Sequence, residues 1–567
     1  MQKILRSKYW WLIVIAVLAV INIVASMLHF RIDLTSEKRY TLSNATKKLL
    51  SNLDEQVTIT VFLEGEMPAG FRRLSNSSNE LLQEFREYAG SNLQINFQKP
   101  GEDLDDSARV SFLSYLSDSL GLKPTNVKVT AKAGEAQEER LVYPGAVISR
   151  AGRDVAINFL QGLDLQGGYE SLNKAEALLE YKFAHAIQKI SIDSVQNIGY
   201  LLGNGQPLTY NVYDLIENTL KPSYGFGFLP IDSIPFIPND FDAIMVVKPT
   251  SPFNDAQKLK LDQYIMHGGK IIWLIDNLYA EMDSLMRTQS DFIAFDRGLN
   301  IEDLLFRYGV RINQDLVQDL RSDKVPLVVG NFGNEPQMQL VPWPYFPLLN
   351  SFSGHPISNN LGEVLSIFPN SIDTISSAQV KKTVLLSSSE SSRTLSTPAL
   401  VSLNSIKTEA DLRTFNKAHI PVAVLLEGKF QSLFGNRLSR QTADMLAANG
   451  QPYKNGSDDN KMIVISDADI AGNVVTQNEG PLPMGYNQFT GVQYANRDFI
   501  VNCIEYLVDP SGILETRGKD VTLRMLDQGK VDEGRTKWQF IVLVVPVLAV
   551  LIAAAIYQYL RNRRYRG

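Results

Sequence analysis

The sequence predicts an α/β protein carried between two membrane helices. Three observations point there. An uncharged apolar run stands near each end, strand-length apolar segments alternate with amphipathic helices through the body, and Gly, Pro, Asn and Asp mark the turns between them.

The first run is YWWLIVIAVLAVINIVASMLHF, Tyr9 to Phe30. About 20 apolar residues suffice for a helix to cross a bilayer. Trp10 and Trp11 stand where an interfacial aromatic belt belongs, behind Lys3, Arg6 and Lys8. A cleaved signal peptide ending at Ala25-Ser26 is the rival reading. The run exceeds the usual apolar signal core of roughly 7–15 residues, which favours an uncleaved anchor. The second run, Trp538 to Leu560, is followed at once by RNRRYRG. Its Pro546 is tolerable, because transmembrane helices accept proline better than soluble ones. Two spans put both ends on one side. The basic flanks assign that side to the cytoplasm and place the body of a two-pass membrane protein outside it.

The expected order is a membrane anchor at 1–30, an extracytoplasmic α/β domain at 31–195 and a second at 196–508. A polar linker at 509–537 then leads to the second span at 538–560 and a basic cytoplasmic tail at 561–567. In the first domain Ser43 is a plausible N-cap, VTITVFLEG a strand, and FRRLSNSSNELLQEFREYAG a helix with Leu74, Leu81, Phe85 and Tyr88 on one face. LQINFQKP, ARVSFLSYLSDSLG and a hairpin turning near Gly134 follow, and the helix SLNKAEALLEYKFAHAIQKI closes the region. The order β-α-β-α-β-β is that of a small thioredoxin-like domain without a CxxC. In the second domain IGYLLG, GFGFLPI, FDAIMVV and KIIWLID read as buried strands of a doubly wound, mostly parallel sheet. From about 300 to 415 the pattern loosens into Pro- and Ser-rich stretches, with LLSSSESSRTLSTPAL read as an exposed loop around Ser389. Strands return at PVAVLLEGKF and KMIVISDADIAG.

With 55 Lys+Arg against 61 Asp+Glu and no long basic stripe in the body, nucleic acid is not an expected partner. Cys503 is the single cysteine, so no intrachain disulfide forms, and its helical neighbours Ile500, Ile504 and Leu507 mark it as a buried thiol. The five histidines are scattered, without HExxH or a helical pair, so neither metal nor cofactor is expected.

NIGYLLGNGQPLTYNVYDLIENTL has the layout of a nucleotide-binding loop, but residues 203–208 read GNGQPL. The third glycine of GxGxxG is missing, and GxxxxGK[ST] occurs nowhere. Gly203, Asn204, Gly205 and Gln206 therefore read as a tight strand-to-helix turn without direct nucleotide binding. A ligand or partner surface at the strand's C-terminal end is the alternative. Asp467 and Asp469 follow the strand MIVI, and Asp276-Asn277 ends KIIWLID. Paired carboxylates there suit a cation or acid–base work, while Asx turns that satisfy loop backbone are the structural alternative. In the second span Ala549 and Ala553 lie four apart on one face, as a contact with another membrane helix requires.

Several stretches together resemble one family. They are RYTLSNATKKLLSNL with VTITVFLEG, then FDAIMVVKPTSPFNDAQKLKLDQYIMHGGKIIWLID, NIEDLLFRYGVRINQDLVQD and HPISNNL, and finally VISDADIAGN with NRDFIVNCIEYLVD. The chain is similar to the GldG family of gliding-motility-associated ABC transporter auxiliary proteins of Bacteroidetes. That resemblance implies a membrane-anchored subunit working with separate ATP-binding and permease chains, its larger domain glutamine amidotransferase-like. No cysteine stands at a strand-to-helix elbow, so amidotransferase chemistry is not expected. The function expected is a non-enzymatic auxiliary, substrate-binding-like subunit. The alternatives are an extracytoplasmic hydrolase using Asp467 and Asp469, and a free-standing solute receptor.

Overall fold

The computed structural model describes residues 41–565 apart from 66, 123, 130–137, 161–168, 192–194, 283–290, 333–334, 377–378, 404–408, 436, 449, 510 and 519–527. The first apolar run, residues 9–30, lies outside the described residues. The chain up to Asp520 forms one compact unit and Val521–Gly567 a second.

Six strands open the first unit: β1 (Val57–Val61), β2 (Leu93–Phe97), β3 (Thr125–Val129), β4 (Glu138–Val142), β5 (Gly145–Arg150) and β6 (Arg153–Asn158). A four-stranded sheet runs β2-β1-β5-β6, with β1 and β2 parallel and the β1/β5 and β5/β6 pairs antiparallel. β3 and β4 form a separate hairpin. The segment that follows the hairpin, Gly145–Arg150, pairs with β1 instead. Ser43 caps the helix Asn44–Ser51, its hydroxyl accepting from Thr46 N. The helix Ala69–Ala89 buries Phe71, Leu74, Ser78, Leu82, Phe85 and Ala89. Leu74 and Phe85 lie inward as expected, Leu81 packs half-buried against the core beside the buried Leu82, and only Tyr88 stays outside, under Lys47.

The helix expected at 171–190 is two helices, Tyr169–Ala177 and Leu179–Ser191. The second, hereafter the bridging helix, buries Leu179, Phe183, Ile187 and Ile190, and also Tyr181, Ala184 and Ala186. It belongs to a single core cluster that runs from Leu42 to Leu514. The expected boundary at 195/196 therefore does not divide two cores.

The main sheet contains β7 (Asn197–Leu202), β8 (Gly225–Pro230), β9 (Ala243–Val247) and β10 (Lys270–Leu274). Every residue of β9 is buried, so its sequence AIMVV is continuously apolar rather than alternating. Burying each of its Ile, Met and Val side chains contributes about 1.5–3 kcal/mol. Before β10 the helix Asp255–Met266 starts at a capping box made by Asn254 and Gln257.

The stretch read as irregular is rich in strands. It holds β11 (Leu278–Tyr279), β12 (Phe292–Asp296), β13 (Val310–Ile312), β14 (Asp315–Asp319), β15 (Ser322–Phe332), β16 (Glu335–Leu349), β17 (Val364–Leu365), β18 (Ile372–Thr374), β19 (Val380–Ser387), β20 (Ser392–Ser396) and β21 (Ala399–Val401). Proline cannot donate to a ladder, which is why this region does not read as sheet. The β15–β16 hairpin accommodates Pro326, Pro336, Pro342 and Pro347 and breaks register at two places. Ser389 is not in an exposed loop. Its backbone N and hydroxyl donate to the buried Asp319 carboxylate at 2.6 and 2.5 Å.

β22 (Pro421–Gln431) and β23 (Gly456–Ile465) complete a seven-stranded sheet of order β19-β22-β23-β10-β9-β7-β8. It is parallel from β23 to β8 and antiparallel at β22 and β19. The closing helix Asn496–Val508 buries Ile500, Cys503, Ile504 and Leu507, and burial pushes the Cys503 thiol well above its usual range. The linker expected from 509 starts later, because Ile513, Leu514, Thr516 and Arg517 are buried in the first unit. In the second unit the helix Gln528–Tyr565 contains a stretch, Lys537–Arg563, long and apolar enough to cross a membrane.

Candidate functional site

Four parallel strands, β7, β9, β10 and β23, end on the same side of the sheet. The chain goes from β7 outward to β8, then returns across β7 to β9 and on to β10. Strand order therefore reverses between β7 and β9, and α/β sheets bind ligands outside the carboxyl ends of strands at such a reversal. Gly203–Gln206 follow β7, Lys248 follows β9, Asp276 and Asn277 follow β10, and Asp467 and Asp469 follow β23. The sheet thus brings all the strand-end residues singled out in the sequence to one edge.

The reversal itself is laced shut. Thr250 N and Ser251 N donate to the Asn204 carbonyl at 2.8 and 3.0 Å. Asn204 Nδ2 donates to Gln257 Oε1 at 3.0 Å, and Asn204 N donates to Gln206 Oε1 at 2.8 Å. Gly205 has φ 75°, and a Cβ there would lie 2.1 Å from Thr250 Oγ1. The glycine serves a close approach of two loops rather than a phosphate. Asn204 Oδ1 and Gln206 Nε2 are buried without a hydrogen-bonding partner.

Next to this turn, Lys248 sits at φ 45°, a left-handed conformation uncommon for a side chain of its size. It extends its ammonium among three carboxylates. Nζ is 2.5 Å from Asp469 Oδ1, 3.2 Å from Asp276 Oδ2 and 3.3 Å from Glu281 Oε2. The Asp276 contact is ionic and lacks hydrogen-bond geometry. Arg297 pairs with the other oxygen of Glu281 and lies over the Tyr279 ring. Asp467 is fully buried. Its Oδ2 accepts from Ile367 N at 2.7 Å and from the Ser366 hydroxyl, and its Oδ1 accepts from Asp469 N at 2.8 Å. Asp276 Oδ1 accepts from Ala468 N at 2.6 Å, and Asn277 N donates to Asn370 Oδ1 at 2.9 Å. Asn277 Nδ2 is buried and has no partner.

The electrostatics follow from burial. Burial alone lowers the Lys248 pKa, but Asp469, Asp276 and Glu281 outweigh it and hold the ammonium charged, well above its usual range. Asp467 is raised well above the usual carboxylate range, first by burial, then by Asp469 and Asp276. Asp469 is raised to about 6 by burial, opposed by Lys248 and reinforced by Asp276 and Glu281. A lysine locked in its charged form is neither base nor nucleophile, and both Asp467 oxygens are engaged. The ammonium occupies the centre that a bound cation would need. No set of three His, Cys, Asp or Glu poised for a metal occurs among the described residues.

Sequence reasoning missed Lys248, Glu281 and Arg297. The available signal was a lone lysine directly after the apolar run AIMVV, matching the aspartates after KIIWLI and MIVIS. It also missed Asp214, which accepts from Met484 N and Asn218 and pairs with Arg497, tying the turn after β7 to the closing helix. Burial raises the Asp214 pKa, and Arg497 with the other donors overrides it to a net lowering. In the second unit Ala549 and Ala553 are exposed on the apolar helix.

Residues 36–149 match a domain of unknown function (DUF7088). An uncharacterized protein of Borreliella burgdorferi is 22% identical over 444 residues, 76% of this chain and 80% of that one. Among solved structures the chain is similar to the mmIFT52 N-terminal domain, at 11% identity and a TM-score of 0.30, over 55% of this chain and 98% of that one; that likeness is too distant to inform the fold. Residues 196–503, more than half of the 567-residue chain, match the family described as an ABC-type uncharacterized transport system. The chain belongs to that ABC transport auxiliary family.

Proposed function

We propose that this chain is a non-catalytic auxiliary subunit of an ABC transporter, of the gliding-motility-associated GldG type, whose ATP is hydrolysed by a separate subunit beside a separate permease. Its α/β body stands in the periplasm, with one membrane helix at each end and both termini cytoplasmic. The membership of residues 196–503 in an ABC transport auxiliary family supports the transporter role, and the apolar stretch Lys537–Arg563 supports a membrane anchor. The order β2-β1-β5-β6 supports a thioredoxin-like reading of the first sheet, and the reversal between β7 and β9 supports a doubly wound, amidotransferase-like reading of the second.

One observation carries the non-catalytic part. The strand ends where this architecture builds active sites are cross-bonded by the chain's own groups, with Lys248 neutralised among Asp276, Glu281 and Asp469. The test is purification of the tagged full-length chain from native membranes in mild detergent. Co-enrichment of an ATP-binding subunit and a permease is expected, with no ATP hydrolysis by the chain alone. Hydrolase activity lost in Asp467→Asn would replace this reading with an enzyme, and recovery without either partner would favour a free-standing receptor.

A further inference from the structure

A second polar site lies within the first unit and shares no residue with the strand-end cluster. It is a cavity of about 240 Å³ between the bridging helix, β6 and the closing helix. At ~30 Å³ per water, that space equals roughly eight water molecules. Besides Tyr181, six acidic or basic side chains line it: Lys182, His185 and Lys189 from the bridging helix, Asp498 and Glu505 from the closing helix, and Arg517 from the turn that follows. Only Asp498 of the six lies inside either matched family segment, 36–149 or 196–503.

Charge in this cavity is not balanced internally. Glu505 is already satisfied, with His185 Nε2 2.7 Å from one oxygen and the Tyr181 hydroxyl donating to the other at 2.8 Å. Lys189 faces this same Glu505, while Lys182 and Arg517, with Arg497, face the single carboxyl of Asp498. Arg517 is 5% exposed, and its guanidinium lies 4.8 Å from the centre of the Tyr181 ring. Two of its nitrogens donate to Asn502 Oδ1 and the Asn359 carbonyl, while Nε is buried with no partner. Lys182 donates to the Asn158 and Phe159 carbonyls at 2.8 and 2.9 Å. The apolar share of the wall comes from Leu178, Ala186, Leu361 and Val501.

We infer that this cavity binds a small organic oxyanion, a carboxylate or phosphate on a short apolar stem, with Arg517 and Lys182 receiving the head and Lys189 guarding the mouth. A guanidinium with an unpartnered N–H beside two lysine ammonium groups is a ready receptor for such a head. Two further properties agree. Burial, with Arg517 adding to it and Asp498 opposing, lowers the Lys182 pKa to about 7, and burial lowers that of Lys189. An incoming anion restores the charged form of Lys182, so binding near neutral pH takes up a proton. The site needs no transporter partner and stands apart from the proposed function.

The experiment is calorimetric titration of the full-length protein in detergent with two probes, butyrate and inorganic phosphate. Saturable millimolar binding of at least one is expected. Its heat should differ between buffers of different ionisation enthalpy, because a proton is taken up. Arg517→Gln should weaken binding about tenfold or more. Lys189→Ala, at an exposed position, should weaken it about two- to fivefold without lowering the melting temperature. If Arg517→Gln fails to fold, Lys189→Ala and the buffer dependence decide. No saturable heat with either probe, or binding that Lys189→Ala leaves unchanged and that takes up no proton, overturns the inference.

Discussion

Lys248 Nζ lies 2.5 Å from Asp469 Oδ1, joining the ends of β9 and β23 across the intervening β10. Together with Asp276 the pair ties three parallel strands at one edge. Removing the cation alone leaves a cluster of partly buried like charges. Lys248→Met is therefore expected to destabilise the full-length protein by about 3–5 kcal/mol in chemical denaturation, and Lys248→Met with Asp469→Asn to recover part of that loss. A change within about 0.5 kcal/mol, the range of a neutral surface substitution, would mean that the cluster contributes nothing to the fold.

The same cluster sets a pH response. The Asp469 carboxyl is raised from 3.8 to about 6, so between those values the folded state holds a proton that the unfolded chain has released. Stability from this group therefore grows as pH falls from neutral through about 6. His355, lowered to about 4 by burial, acts oppositely in the same range, because the unfolded chain binds its proton first. The comparison that isolates the cluster is wild type against Asp469→Asn. Melting curves at a series of pH values should show wild type gaining on the variant below neutrality. A constant difference between them would contradict the raised carboxyl.

At the β7 turn, Gly205→Ala places a methyl group 2.1 Å from Thr250 Oγ1 at φ 75°. A loss of about 1–3 kcal/mol is expected from the strained backbone and the displaced loop. Nucleotide binding to the full-length chain, measured by equilibrium dialysis, should be absent both before and after the change. Saturable binding that the substitution abolishes would restore the phosphate-loop reading.

For the two-pass arrangement, the exposed Ser391 is the position to label, since the neighbouring Ser389 is bound to Asp319. Cys503 is fully buried and leaves a silent background. Ser391→Cys should react with a membrane-impermeant thiol reagent in cells with a permeabilised outer membrane. Asn562→Cys should react only after lysis. The inverse pattern would turn the protein over in the membrane.

Ala549→Leu with Ala553→Leu enlarges one face of the apolar helix and should reduce recovery of the permease several-fold while leaving insertion intact. Val547→Leu with Ala554→Leu, which lie on the far side of the helix from Ala549 and Ala553, is the control. Equal recovery in both would make this helix an anchor only.

Buried parallel strands are legible in sequence because both their faces are apolar, as in AIMVV and KIIWL. The acidic residues that follow them are legible as strand-end groups for the same reason. Their partner Lys248 is not, since 221 residues separate it from Asp469 and only the sheet order brings them together. The β15–β16 hairpin is hidden by prolines seated in its ladder, and the serines near Ser389 by a polar composition that resembles a loop. Composition cannot reveal that a buried aspartate, Asp319, consumes those donors.

The bridging helix makes the two sheets complementary fragments. Nine of its thirteen residues are buried, and Tyr181, His185 and Gln188 bind Glu505 and Asp509 at the far end of the sequence. A chain severed near residue 195 would leave an apolar seam open on both pieces, each lacking the surface that closes it. Co-expressed, the two pieces should find each other without a linker and rebuild the parent.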